Sequence, residues 1–333
     1  MIISRTPFRI SFFGGGTDYP VWYEENGGAV LSTTIDKYCY LTCRYLPPFF
    51  EHKYRIVYSK IDRVSRIKDI RHPAVRAILE LMKIEIGVEV HHDGDLPART
   101  GLGSSSAFTV GLLNSLYALK GIMPTKHRLA KEAIHVERHI LQENVGSQDQ
   151  VAVSYGGFNK INFERDGGFS VEPIILNKGR LNELESHLML FFTGFSRTAS
   201  HIARKQIKNT IHKKNELVKI HSLVEEAKSI LTDNSDIVEF GKLLNESWLL
   251  KKSLTDKIST PEIDSVYDMA IHAGATGGKL LGAGGGGFMV LFVKPELQER
   301  VGRKLNKLLR VKFKFENQGS QIIFYRDSAI RND

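Results

Sequence analysis

Three glycine-dense segments, Gly14–Gly16, Gly101–Ser106 and Gly282–Gly287, are the parts of this chain best suited to chemistry on phosphates. Glycine lets backbone N–H groups close on an anion, because no Cβ intervenes. In the middle segment, Pro97-Ala98-Arg99-Thr100-Gly101-Leu102-Gly103-Ser104-Ser105-Ser106 runs straight into the apolar-periodic residues Phe108, Leu112, Leu113 and Leu116. A glycine turn therefore feeds a helix N-terminus, with unpaired N–H groups and the positive end of the helix dipole. The serines either cap that helix or offer a hydroxyl to a hard cation. The last segment has the spacing of a dinucleotide fingerprint at Gly282, Gly284 and Gly287. That fingerprint needs a strand before it and a helix after it, and here an apolar strand pattern, Phe288–Val293, follows instead. A Walker A loop fails too, since Lys279 is followed by Leu280.

Two acids sit in apolar settings. Glu137 lies within Ile134–His139, and Asp149 within Gly146–Val153. An acid buried among such neighbours must be paired or functional. His135 and His139 are one helical turn apart, but the order is H-x-E-x-H rather than H-E-x-x-H, so an ordinary helix face is expected. Cys39 and Cys43 fall on one face of a strand-like run, Tyr38–Tyr45. They cannot build a disulfide framework, and no further metal ligands follow at matching spacing, so buried thiols are expected.

The elements that must position these residues alternate along the chain. Lys37–Tyr45, Tyr54–Tyr58 and Glu85–His91 read as strands, and 105–119 and 125–143 as helices. A strand is expected at Phe158–Phe163, and a boundary near residues 177–184 divides the chain into 1–180 and 181–333. The second part is more helical, with amphipathic stretches at 198–231 and 237–250. Thr260 before Pro261 marks a helix start, and Gly274 its stop. The strand Phe288–Val293, a helix at 295–309 and strands near 311–315 and 322–325 close the pattern.

The 333 residues carry 46 Lys plus Arg against 37 Asp plus Glu, a net charge of +9. Nucleic acid, an anionic surface and small phosphorylated substrates could all use that surplus. The densest cluster, Arg204, Lys205, Lys208, Lys213, Lys214 and Lys219, lies where Ile207, Ile211, Val218 and Leu223 recur at near-helical spacing. It reads as a solvated helix face over an apolar underside, with no nucleic-acid motif. No apolar run is long enough for a membrane helix, and Arg5, Pro7 and Arg9 interrupt the first ten residues as a signal peptide. A soluble, cytoplasmic protein with neither nucleic acid nor membrane as partner is expected.

Taken together, the segments resemble the GHMP small-molecule kinase family. The resemblance spans essentially the whole chain. It rests on Arg5-Thr6-Pro7-Phe8-Arg9-Ile10-Ser11-Phe12-Phe13-Gly14-Gly15-Gly16-Thr17-Asp18, on Pro97–Ala107 and on Lys279–Gly287, with Glu137 and residues 146–157 between them. It implies an α+β, two-domain fold: an N-terminal domain similar to ribosomal protein S5 domain 2 and a ferredoxin-like C-terminal domain. It also implies ATP-dependent phosphoryl transfer in the cleft between them. Pro97, Arg99, Gly101, Leu102, Gly103, Ser104, Ser105 and Ser106 would then wrap the ATP phosphates, and Ser105 and Glu137 would partner Mg²⁺. Asp149 would take the acceptor's hydroxyl proton, with Arg9 as the basic residue beside it. Asp18, with Gly15, Gly16 and Thr17, would hold the sugar, and Gly284, Gly285 and Gly286 would let the second domain's backbone approach it.

Galactokinase-like members carry Gly-Glu-His-Thr-Asp where this chain has Gly14-Gly15-Gly16-Thr17-Asp18. Losing Glu and His widens the pocket and removes an acid, which suits a longer, already negative acceptor. With Gly28–Leu31 and Ile35–Tyr38, this form resembles the D-glycero-D-manno-heptose 7-phosphate kinases. That resemblance implies phosphorylation of the anomeric hydroxyl to a 1,7-bisphosphate. Arg5, Arg44, Arg99 and Arg197 are candidates for holding the 7-phosphate. A kinase of an unphosphorylated sugar (fucose or a uronic acid) and a non-catalytic sugar- or nucleotide-binding regulator remain as alternatives. A homodimer is left open.

Overall fold

The computed structural model describes residues 1–194, 199–233 and 235–326. Its first strand, β1 (Ile2–Phe13), alternates in burial at its start and is then buried on both faces. It pairs antiparallel with β2 (Gly28–Tyr45), and the register shifts between Pro7 and Phe8. A proline inside a sheet is tolerated at such an irregularity, because it has no N–H to give the ladder. The helix α1 (Pro20–Asn26) fills the connection between them.

The sheet grows outward through β3 (Tyr54–Val57), β4 (Ile61–Val64) and β5 (Val88–Gly94), with α2 (Pro73–Leu81) between β4 and β5. Next come α3 (Ser104–Leu119), α4 (Lys126–His135) and α5 (Gln148–Tyr155), and then β6 (Phe158–Phe163) and β7 (Phe169–Pro173). α3 is buried nearly all round, as a helix laid across β1 and β2 must be. After α6 (Lys178–Ser186), β8 (Leu188–Gly194) starts a second sheet. α7 (Ala199–Asn209), α8 (Lys214–Thr232), α9 (Val238–Ser253) and α10 (Pro261–His272) follow, then β9 (Ala275–Leu280) and β10 (Gly287–Val293). α11 (Gln298–Lys304) leads to β11 (Leu309–Val311), β12 (Phe315–Glu316) and β13 (Gln321–Tyr325).

The second sheet is antiparallel in the order β11-β8-β10-β9. The first runs β13-β1-β2-β5-β3-β4, with β6 and β12 also on β2 and β7 on β6. The α+β class is as expected. Residues 315–325, assigned by the sequence to the second part, instead complete the first sheet: Ile2 faces Tyr325 and Ile35 faces Phe315. Pattern within a short strand does not say which sheet accepts it.

Two local readings change, and one helix, α5, is added. The helix expected over 125–143 ends at His135 and continues as a π-turn, Val136–Ile140. α5 has no periodicity to betray it, because Gln150–Ser154 are buried on every side. Of the apolar underside expected from Ile207, Ile211, Val218 and Leu223, Leu223 is buried and Ile207 half-buried, while Ile211 and Val218 are solvent-exposed. A 3₁₀ turn at Thr210–Lys213 shifts the phase, so Leu217 and Ile220 join Leu223 on the inner face. Cys39 and Cys43 are free and buried as expected, and burial pushes the Cys43 thiol up to about 12.

The two halves meet through aromatic rings. Phe240 of α9 lies edge-on to Phe12 and Phe13 of β1, with centroids 5.5 and 5.1 Å away, and against Phe292 of β10 at 6.3 Å. Phe240→Ala opens a void at this junction and is expected to cost about 3–5 kcal/mol, read as a lower urea midpoint. A loss below about 1 kcal/mol would show that the halves are stabilised independently of this ring.

Candidate active site

Pairing of β1 with β13 ends at Arg5, so the far half of β1 has an open edge. Loop 97–103 comes up against it: the Arg9 N–H donates to the Leu102 carbonyl at 3.0 Å. The Arg9 side chain points along the same loop. Its Nη1 donates to the Gly101 carbonyl at 2.6 Å, while Nε and Nη2 grip the two Asp149 oxygens at 2.8 and 2.9 Å. This is a bidentate, charge-assisted pair. Arg9 is 3% exposed and Asp149 27%, so the carboxylate keeps a face toward open space. Asp149 sits in the first turn of α5, where a negative group complements the helix dipole.

Asp18 is buried beside this pair. It accepts from the Gly16 N–H and from Gln148 Nε2, both at 2.9 Å. Burial, reinforced by the nearby Asp149 charge, pushes its carboxyl above the usual range. A Cβ on Gly146 would stand 1.8 Å from Asp18 Oδ2, so only glycine lets this loop cross the carboxylate.

α3 begins at Gly103, which is left-handed at φ 74°, and no side chain caps it. Ser104 Oγ accepts from the Arg99 N–H at 3.0 Å, Ser105 is exposed, and Ser106 Oγ donates to Glu137 Oε2 at 2.9 Å. Gln150 Nε2 donates to the same oxygen, while Glu137 Oε1 is buried without a partner. Burial pushes the Glu137 carboxyl up to about 7. The third glycine segment backs onto the second: a Cβ on Gly101 would lie 2.3 Å from the Leu281 carbonyl oxygen, and one on Gly282 2.5 Å from Gly101 Cα. These segments enclose a cavity of about 700 Å³, lined by residues that include Arg9, Asp18, Arg99, Ser105, Asp149 and Lys251.

Residues 70–157 match the GHMP kinases N terminal domain and residues 223–311 the GHMP kinases C terminal domain, together more than half of the chain. The chain belongs to the GHMP kinase family. It is accordingly an ATP-dependent phosphotransferase of the sugar-kinase kind. A D-glycero-alpha-D-manno-heptose 7-phosphate kinase of Campylobacter jejuni is 29% identical to this GHMP kinase over 321 residues, 92% of this chain and 93% of its own. A galactokinase of Pyrococcus furiosus is 26% identical over 354 residues, 95% of each chain. The crystal structure of a D-glycero-D-manno-heptose 1-phosphate kinase from Bacteroides thetaiotaomicron superposes with a TM-score of 0.74 at 26% identity, covering 98% of this chain and 100% of that one.

The fold of the GHMP kinase gathers most of the expected residues but gives several a supporting place. Arg9, Gly15, Gly16, Asp18, Arg99, Gly101, Gly103, Ser104, Ser105 and Asp149 all line the cavity. Thr17 does not. Its hydroxyl donates to the Gly14 and Ala29 carbonyls and so fixes the first loop. Pro97 and Leu102 offer their carbonyls to Thr100 Oγ1 and the Arg9 N–H. Of the third segment, Gly282 and Ala283 reach the cavity, whereas Gly285 donates its N–H to the Ile258 carbonyl and Gly284 and Gly286 are not in the lining. Among the phosphate candidates, Arg5 is bound to Gln321 and lies over the Tyr38 ring, and Arg44 pairs with Glu89. Arg99 alone of the described three lines the cavity, and Arg197 lies outside the described residues. His135 and His139 are exposed, and among the described residues no group of three His, Cys, Asp or Glu could hold a metal.

Sequence reasoning missed Gln148, Glu143, Gln206 and Lys251, all of them in the lining. Lys251 had a readable signal. It takes the next position in the buried stripe of α9 after Phe240, Leu244 and Trp248.

The uncommitted Glu137 oxygen yields a stability prediction. The folded protein holds its proton up to about pH 7, so the cost of the buried carboxylate grows between about pH 4.5 and 7 and is fully present above. That cost is on the order of 3 kcal/mol. Glu137→Gln stays neutral, keeps an acceptor for Ser106 and Gln150, and places its amide where Oε1 has no partner. With EDTA present, its melting temperature is expected to exceed that of the unsubstituted protein by several degrees at pH 8 and hardly at all at pH 5. An equal difference at both pH values would refute the assignment.

Proposed function

We propose that this GHMP kinase transfers the γ-phosphoryl group of ATP to the anomeric hydroxyl of D-glycero-D-manno-heptose 7-phosphate, with Mg²⁺, giving the 1,7-bisphosphate. The observation that carries the reading is the Asp149–Arg9 pair, which faces one cavity between Asp18 and the uncapped start of α3. Phosphoryl transfer is chiefly positioning and charge compensation, and each part of this arrangement serves one of the two.

The first-turn N–H groups of α3 and the loop 97–103 would cradle the ATP phosphates. Asp18 would accept hydrogen bonds from the sugar's hydroxyls, and its two existing donors fix its oxygens for that purpose. Asp149 would take the proton of the attacking hydroxyl as oxygen closes on phosphorus. Arg9 would hold Asp149 in line and balance the charge that develops. Glu137 through its unpartnered Oε1 and Ser105 through its exposed hydroxyl would be the hard oxygen donors offered to Mg²⁺. When bound, the ion would neutralise phosphate charge.

The phosphosugar reading draws on the Campylobacter jejuni relative, which is similar over nearly the whole of both chains. It draws also on the first loop, where Gly15 and Gly16 line the cavity without side chains, and on Arg99, a cation in the lining whose charge also reaches Glu143. The galactokinase relative supports the second reading, a free sugar on the same machinery.

ADP release should be measured with ATP and Mg²⁺ over a panel of heptose 7-phosphate, sedoheptulose 7-phosphate, mannose 6-phosphate and free mannose, fucose and galactose. Turnover confined to heptose 7-phosphate is expected, and turnover on a free sugar would replace the substrate while keeping the kinase. Asp149→Asn should lower kcat by at least about 100-fold while sparing ATP binding. Unchanged turnover would remove Asp149 from the mechanism.

A further inference from the structure

Lys251 is a buried cation for which the reading so far has no use. It is 7% exposed on the inner stripe of α9 and lines the cavity that holds Arg9, Asp18 and Asp149. Its ammonium donates to the Gly282 carbonyl, and among the described residues no carboxylate lies within ion-pairing distance of it. Its neighbour Lys252 shows the ordinary outcome, a surface pair with Asp264 at 3.0 Å. An ammonium taken out of water with one carbonyl as its partner is costly. An ammonium has three donors, so two remain for whatever enters the cavity.

The charged groups that face Lys251 are Arg9 and Asp18 on the β1 side, Asp149 on α5 and Lys279 on β9. Lys279 is itself tied to the Phe12 carbonyl at 2.7 Å. Lys251 therefore sits at the sugar-holding and proton-accepting end of the cavity rather than at the Arg99 rim. On that reading, the anion that comes up beside Asp149, moving from the start of α3 toward the acceptor held by Asp18, is the phosphoryl group in transfer. A phosphate at the far end of a seven-carbon sugar would lie away from this point.

We propose that Lys251 is a catalytic residue: held on the Gly282 carbonyl, its ammonium donates hydrogen bonds to a non-bridging oxygen of the phosphoryl group as that group passes to the acceptor. In this step the acceptor oxygen bonds to phosphorus and the bond from phosphorus to the ADP oxygen breaks. The acceptor's proton goes to Asp149, and Lys251 keeps its own. The proposal rests on the phosphoryl-transfer reading of the cavity but not on which sugar is used. Burial, with Arg9 nearby, lowers the Lys251 ammonium to about 8, so the charged form dominates at neutral pH and is lost as the pH rises through that value.

The test compares Lys251→Met and Lys251→Arg with the unsubstituted protein, both with the sugar panel and with no sugar, when water is the acceptor. Lys251→Met is expected to lower kcat about 100-fold in both arms, with the KM for ATP changed less than about threefold. Lys251→Arg should recover part of the rate and lose the fall in kcat above pH 8, since arginine stays charged. A purely structural clamp on Gly282 would lower the melting temperature and leave the pH profile of the surviving activity unmoved. Lys251→Met with kcat within about threefold of the original in both arms would overturn the proposal. If no sugar on the panel is turned over, the substrate reading falls, and the sugar-free arm still decides the role of Lys251.

Discussion

The guanidinium of Arg9 holds three stretches of chain in one register. Its bonds to Asp149 fix the start of α5, its bond to the Gly101 carbonyl fixes the second glycine loop, and the backbone N–H of the same residue extends β1 onto that loop. A planar fork with five donors can meet a carboxylate and a carbonyl at once, which a lysine ammonium cannot do with the same rigidity. Because Arg9 stands on a strand buried on both faces, its position is as fixed as the core. The proton acceptor, the phosphate loop and the sheet are thereby referenced to one another.

Around that fixed point lies an unusual amount of buried charge. Asp18 and Glu137 carry raised carboxyl values, and Lys251 and Lys279 lowered ammonium values, in each case chiefly through burial. A fold selected for stability alone would replace such groups with apolar ones. Their retention in one region, with oxygens or donors still uncommitted, is the expected signature of a site whose charge is balanced only when ligand arrives. The Gly101–Gly282 contact has the same logic. Two backbones touch where side chains would have separated the halves, so both lobes reach a single ligand-sized space.

Much of this was legible in the residues themselves. The glycine loops, the serine-led helix, and Glu137 and Asp149 in apolar settings are local signals: the second glycine loop does lead into α3, Glu137 is buried and Asp149 is paired with Arg9. What escaped is what depends on partners distant in sequence. Nothing near Ser106 says that it, rather than Ser105, meets Glu137, 31 residues away. Lys251 looks like half of a surface Lys-Lys pair until the stripe of α9 is followed to its end. Gly284 and Gly285 belong to the right loop but turn toward Ile258, because the path of the loop is set by packing and not by composition. α5 escaped for a different reason: a short helix buried all round has no polar face to mark its period.

The return of β13 to β1 has a consequence for how the protein comes into being. Met1 donates its amino group to the Arg326 carbonyl, so the chain's first strand and one of its last lie side by side. During synthesis β1 can pair with β2 early, but the other edge of its first half, Ile2–Arg5, stays open until residues 321–325 have left the ribosome. The first sheet is thus finished only after the second has been made, and the closing strand arrives with the other lobe already in hand. Maturation of the two lobes is coupled by the order of translation, and an interrupted chain is left with an unpaired edge rather than a working half.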